Sequence, residues 1–245
     1  MNKAIPEKMT QFAKALLKLR LLVLNGEFQA NSRLPEVALA ERLGISRTPL
    51  RQAMDRLVDE GLLDRLETGG CKVASFTMDD IIDAIEVRGV MEGTAARLAA
   101  ERGADPEIAD QCRNVLDELD GTLHERNDID FPAYVRLNAE YHRLLASLSQ
   151  SRVVMREIDR VCRLPLASPS AFLNGQKTVP DFRASLRIAQ AQHRAIFDAI
   201  IKREGARAEA LSREHARLAR QNLDYVVNTN PSMADQVPGM ALVSA

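Results

Sequence analysis

The 245-residue sequence has no tryptophan, and aromatic residues make up only 4% of it. Runs of β-branched residues are scarce as well, which excludes a large sheet and predicts a mostly helical chain. No apolar stretch approaches the length of a membrane span, and Lys3 precedes no apolar run of the signal-peptide kind. The chain is therefore expected in the cytoplasm, with no membrane contact. Cysteine is limited to Cys71, Cys112 and Cys162, an odd number at wide spacing. That pattern fits a reducing compartment and matches neither zinc-finger nor CxxC spacing. Basic excess is missing too: 33 Lys and Arg face 34 Asp and Glu, a net charge of −1. This is not a generally basic nucleic-acid coat. The balance is uneven, however. Residues 1–76 hold 12 Lys and Arg against 9 Asp and Glu, leaving 21 against 25 for the rest. The sign of that asymmetry suits a DNA-binding first domain.

What is present is organised around LAERLGISRTPLRQAMDRLVDEGLL, from Leu39 to Leu63. It reads as a short helix, a turn at Gly44-Ile45, and a second helix opened by Ser46, whose side chain can cap an orphan amide. Pro49 is tolerated because it falls in the first turn. Leu50, Met54, Leu57 and Val58 recur by threes and fours and form the buried face. The outer face carries Arg47, Thr48, Arg51 and Gln52. Two apolar helices about a glycine turn are what a helix-turn-helix requires, and the start of its second helix meets the major groove. Arginine there can fork onto guanine, while Ser46, Thr48 and the helix N-terminus suit phosphate. The bland alternative is a helical hairpin with two solvated arginines. Downstream, LDRLE, Thr68-Gly69-Gly70 and CKVAS read as two short strands about a glycine turn, which would be a wing. An opening helix is expected from Pro6 to Asn25, with Phe12, Leu16, Leu19 and Val23 on one face. Its Lys14, Lys18 and Arg20, like Arg33 in the next loop, read as solvated or phosphate-brushing cations.

On these residues the stretch resembles the winged-helix domain of GntR-family bacterial transcription regulators, SRTPLRQAM matching that family's SRTPVREAL signature. The resemblance implies that Ser46, Arg47, Thr48 and Arg51 meet DNA and that Gly69 and Gly70 let the wing tip approach the minor groove. Two departures stand out. Asn31-Ser32 replaces the family's PG, and Thr68 replaces its basic wing-tip residue.

Past SFTMDD, where Thr77 or Asp79 can cap, helix follows helix to about Val227. They are expected at Asp79–Arg102, from Asp105-Pro106, at Phe131–Ser149, at Arg152–Leu164, after Pro180 and after Gly205. The buried stripe of the first is read as Ile81, Ile85 and Leu98. From Asn230 the chain lacks periodicity and reads as a mobile tail. Three of the four histidines fall on apolar helix faces. His142 lies one turn beyond Asn138, His193 shares the face of Ile196 and Ile200, and His215 that of Leu211, Leu218 and Asn222. An amide oxygen and three imidazoles could converge on a divalent metal inside a bundle, although each histidine alone also reads as a satisfied core residue. His124, in HERND, is expected to be exposed. Arg88 sits in an apolar stripe with Glu92 one turn on, and a buried arginine must be paired. Either it bridges Glu92 or Glu86, or it forks onto a ligand carboxylate.

ExRxxxE (Glu86, Arg88, Glu92), NAEYHRLL, QHRAIFDAI and EHARLARQNL resemble the helical effector domain of FadR-type GntR regulators, nearer the VanR branch. The likeness implies a metal held by Asn138, His142, His193 and His215, with Asn138 standing where the family has Asp. An amide in place of a carboxylate weakens the site, though three imidazoles suit zinc, with nickel or manganese also possible. It further implies Arg88 and Glu92 as effector-binding residues and a small carboxylic acid as effector.

The expected architecture is mostly α: a winged helix-turn-helix domain over 1–76, an all-α effector-binding and dimerisation bundle of six or seven helices over 77–228, and a flexible tail over 229–245. The expected function is a metabolite-responsive transcriptional repressor binding double-stranded operator DNA as a homodimer, not an enzyme. The alternative is a metal-dependent hydrolase built on the histidines.

Overall fold

A computed structural model of the chain describes residues 9–123, 129–173, 180–229 and 231–244. It forms two compact units, Met1–Asp80 together with Pro238–Ala245, and Ile81–Val237.

In the first unit, α1 (Gln11–Leu24) is opened by Thr10, whose Oγ1 accepts from the Ala13 amide. The expected start at Pro6 lies outside the described residues. Ala15, Leu19 and Val23 recur every four residues and are fully buried. α2 (Glu36–Leu43) stops at Gly44, whose φ of +63° is the left-handed conformation that glycine adopts without strain. α3 (Arg47–Asp59) then buries Leu50, Ala53, Met54 and Leu57, with Val58 only half-buried. Ser46 occupies the cap position with extended backbone, but its side chain makes no capping bond, contrary to expectation. β1 (Leu63–Arg65) and β2 (Cys71–Val73) pair antiparallel, Asp64 opposite Lys72. The turn between them carries Gly69 and Gly70 at φ +85° and +82°. Backbone bonds from Leu34 to Cys71 and between Ser32 and Val73 lay the chain before α2 along β2.

Two cations of α1 are not solvated as expected. Lys18 Nζ donates to the Leu43 carbonyl at 3.2 Å, satisfying an orphan acceptor at the end of α2. Arg20 pairs at 2.5 Å with Glu60, which is buried and also held by Arg56.

The second unit is a helical bundle: α4 (Met78–Arg102), α5 (Pro106–Thr122), α6 (Phe131–Leu148), α7 (Arg152–Val161), α8 (Pro180–Ile201) and α9 (Gly205–Asp224). Thr77 and Asp80 cap α4 reciprocally, Asp80 accepting from the Thr77 amide at 2.7 Å and Thr77 Oγ1 accepting from the Asp80 amide at 3.1 Å. Asp105 caps α5 through the amides of Glu107 and Ile108. The core gathers Cys112, Leu116 and Leu119 of α5, Tyr134, Leu137, Tyr141 and Leu145 of α6, and Ile196 and Ile200 of α8. α7 ends three residues earlier than expected, and His124 lies outside the described residues.

The buried stripe of α4 differs from the expected one. Ile81 and Ile85 are buried as expected, but Leu98 is only half-buried, and further along the helix the buried positions include Gly89, Gly93, Ala95, Ala96, Ala99 and Ala100. A Cβ on Gly89 would lie 2.8 Å from that of Ala216, and one on Gly93 would lie 3.1 Å from the Glu209 carbonyl. Two glycines one turn apart thus let α9 approach α4 closely, bringing His215 towards Arg88 and Glu92.

The segment after Asn230 is not the mobile tail its irregular sequence suggests. Short 3-10 turns at Pro231–Gln236 and Met240–Leu242 bury Met233 and Val237, and Leu242 is fully buried in the winged-helix core. The Phe76 amide donates to the Leu242 carbonyl at 2.9 Å, and the Ser244 amide to that of Phe76 at 2.8 Å. Few apolar anchors at irregular spacing suffice here, so no period marks them.

Candidate metal centre and DNA-reading face

His142 of α6, His193 of α8 and His215 of α9 meet in the bundle interior, all three buried. Their Nε2 atoms face one another, 3.0 Å between His193 and His215 and 3.4 Å between His215 and His142. Each Nδ1 faces outward to an oxygen: Glu92 Oε1 at 3.0 Å for His142, Gln190 Oε1 at 3.1 Å for His193, and Gln192 Oε1 at 3.0 Å for His215.

These partners fix the tautomers. Gln190 Nε2 donates to the Leu116 carbonyl and to Asp120, so Gln190 must turn its oxygen towards His193. That oxygen only accepts, so the His193 proton sits on Nδ1 and its Nε2 presents a lone pair. Glu92, also an acceptor, holds His142 by its Nδ1. Burial alone would raise the Glu92 pKa, but Arg88 and then His142 override it and hold it at about 2. Burial, reinforced by the neighbouring histidines, keeps His193 and His215 well below their usual 6.5 and therefore neutral. The neutral His193 and His215 rings point lone pairs at one centre. Nitrogens on a tetrahedral divalent ion stand roughly 3.4 Å apart. The donor set, with an oxygen behind each ring, fits such an ion.

The fourth expected ligand, Asn138, is buried one turn before His142, and its Nδ2 donates to Ser170 Oγ at 3.3 Å. It lines a cavity of about 40 Å³ with Arg88, His215 and Asn222. A larger cavity of about 360 Å³ is lined by Glu92, His142, Ala146, Ile158 and Ser170. Arg88 is 2% exposed and bridges Glu92 at 3.1 Å, as one of the expected alternatives had it. Glu86 instead faces Arg213. An Nη of Arg88 also donates to the Ala216 carbonyl, while its Nε is buried without a partner among the described residues. Glu92, expected beside the effector, is fully engaged by Arg88 and His142. Reading residues in isolation missed Gln190, Gln192 and Asp120. Gln190 stands three residues before His193, a visible signal, but the Gln192–His215 contact crosses helices. Burial pushes the Cys112 and Cys162 thiols up to about 12, so neither is a ready ligand.

On the winged unit, Ser46, Arg47, Thr48 and Arg51 are exposed on the first turns of α3. Arg51 Nε donates to Glu36 Oε2 at 2.8 Å. At the wing, Arg33 Nη2 donates to the Gly69 carbonyl at 2.8 Å. A cation thus stands at the glycine turn although Thr68 supplies none. Its origin outside the hairpin hid it from a reading of the wing sequence.

A winged helix-turn-helix followed by a helical bundle with a buried polar centre defines a DNA-binding regulator with a sensing domain. Residues 13–73 match the family of bacterial regulatory proteins of the gntR type, and residues 83–218, over half of the chain, match the FCD domain. The chain belongs to the GntR family of transcriptional regulators, in the FadR/VanR-like group that carries an FCD effector domain. These are regulators rather than enzymes, which removes the hydrolase alternative. The chain is 28% identical to the uncharacterized HTH-type transcriptional regulator YdhC of Bacillus subtilis, covering 80% of this chain and 84% of that one. It is 34% identical over 137 residues to the Nta operon transcriptional regulator of Aminobacter aminovorans, covering 56% of this chain and 63% of that one. The E. coli McbR/YncC structure superposes with a TM-score of 0.60 at 17% identity, over 90% of this chain and 99% of that one, a likeness of fold. FCD domains often bind a metal ion, and the three histidines could hold one. No described helix is long and apolar enough to cross a membrane.

Proposed function

We propose that the chain is a metabolite-responsive repressor that binds operator DNA as a homodimer and is released by a small carboxylic acid in the bundle. Ser46, Arg47, Thr48 and Arg51 meet the major groove, and Gly69 and Gly70 bring the wing to the minor groove. One short helix reads only a few base pairs, so a two-fold pair is needed for useful specificity. His142, His193 and His215 hold a divalent ion, zinc first and nickel or manganese next, with Asn138 as a weak fourth donor. Bound there, the ion supplies positive charge facing an acid group.

The observation that carries the reading is Arg88. It is a buried guanidinium whose Nε has no partner among the described residues, and it shares a cavity with Asn138 and His215. A carboxylate satisfies that donor with a charge-assisted bond. Glu92 holds Arg88 and His142 in place and lines the larger cavity beside the ligand. The 40 Å³ cavity accepts little more than a carboxylate head. The 360 Å³ cavity, lined by His142, Ile158 and Ser170, has room for the body of the acid.

Titration of operator affinity against a panel of carboxylic acids tests this in wild type and Arg88→Lys. Lysine keeps the charge beside Glu92 but loses the fork. One acid should release wild type, and Arg88→Lys should bind the operator normally yet ignore that acid. An equal response of both proteins would contradict the assignment.

A further inference from the structure

Arg51 is exposed and reaches out from α3 one turn after Arg47, yet it does not hang free. Its Nε donates to Glu36 Oε2 at 2.8 Å, with 58% of the arginine side chain exposed but only 22% of the glutamate. Glu36 is the first residue of α2, where the helix N-terminus favours its negative charge. The two helices are fixed to each other by the Gly44 turn and the buried Leu39, so the carboxylate is a rigid peg. Holding Nε leaves the end edge of the guanidinium, one N–H from each Nη in one plane, facing away from the peg. That edge matches the O6 and N7 acceptors of guanine. An untethered arginine loses rotamer freedom when it docks, part of which the peg has already removed.

We propose that Glu36 is a positioning residue for base reading: through the Arg51 Nε it aims the Arg51 fork at a guanine in the major groove. This rests on α3 being the helix that meets DNA. The contrary effect of a carboxylate at that place is simple repulsion of phosphate, which weakens binding to every sequence alike. The two roles therefore move specific and random binding differently.

The test uses the full chain and duplex DNA. Wild type first enriches a duplex from a random-sequence library. Affinities for that duplex and for a scrambled one are then measured for wild type, Glu36→Ala, Glu36→Gln, Arg51→Ala and the Glu36→Ala/Arg51→Ala double variant. Glu36→Ala should bind the scrambled duplex more tightly but the enriched one more weakly, cutting the ratio roughly tenfold. Glu36→Gln keeps an acceptor for Nε and should restore most of the ratio. With Arg51 already alanine, Glu36→Ala should change the ratio no further. Tighter binding of both duplexes in step by Glu36→Ala overturns the proposal, as does a loss that persists in the double variant. If Arg51→Ala leaves the ratio unchanged, the aiming role falls while DNA binding stands. If wild type enriches no duplex, the reading of α3 falls and this inference with it.

Discussion

Two of the protein's arginine–glutamate pairs have nearly equal length but opposite surroundings. Arg51 meets Glu36 at 2.8 Å with 58% of the arginine exposed, whereas Arg88 meets Glu92 at 3.1 Å with 2% exposed. Water screens the first pair and competes for both partners, so its energy is small and what it offers is direction. The second has been taken out of water, so each partner depends on the other for its charge to be tolerated. Glu92 also holds the His142 ring through its Nδ1, with Nε2 turned to the histidine centre. One pair thus governs geometry at a surface that must accept DNA. The other anchors a polar interior that would otherwise be costly to bury.

The largest expected break in this comparison is Glu92→Ala. It leaves Arg88 charged and unpaired and frees the His142 ring, so urea unfolding should show the bundle destabilised by about 3–5 kcal/mol. A loss below 1 kcal/mol would mean that the interior is wet. Acid should act next. His193 and His215 stay neutral in the fold, whereas the unfolded chain protonates them near 6.5. As pH falls below that value the unfolded state takes up protons that the folded state refuses, so stability drops. Chelator-treated protein should lose roughly 1–3 kcal/mol between pH 7.5 and 5.5. Glu92 adds a second decline lower down, as pH falls from 4.5 towards about 2. Flat stability between pH 7.5 and 5.5 would contradict the buried neutral rings. Smallest is Glu36→Ala, whose unfolding curve should overlay that of wild type because its partner is solvated. A clear destabilisation would make that pair structural and blunt the contrast.

Much of this was legible in the sequence, for reasons that differ by region. The helix-turn-helix shows itself because a glycine stop, a proline in the first turn and apolar spacing all fall within one short stretch. The three histidines are legible as members of apolar faces, because helical period alone predicts which residues point inward. Their outward partners are not, since Gln192 reaches His215 across helices and Asp120 holds Gln190 from α5. Gly89 and Gly93 show one-turn spacing, but only the approach of α9 explains it. The C-terminal segment escaped notice because Leu242 buries itself without a repeating neighbour. Ser46 illustrates the reverse: a favoured capping residue at the capping position that makes no cap.

The three histidines could hold a divalent ion, and equilibrium dialysis against zinc tests this most directly. Stripped wild type, Asn138→Asp and His193→Ala should be dialysed side by side and their metal measured. Wild type should hold about one ion per chain. Asn138→Asp should bind it roughly tenfold more tightly, because a carboxylate adds a full negative charge. His193→Ala should retain none, since it keeps too few nitrogens for a stable site. Wild type that takes up no zinc, nickel or manganese, with no gain on Asn138→Asp, would contradict the claim and leave the three histidines as core residues.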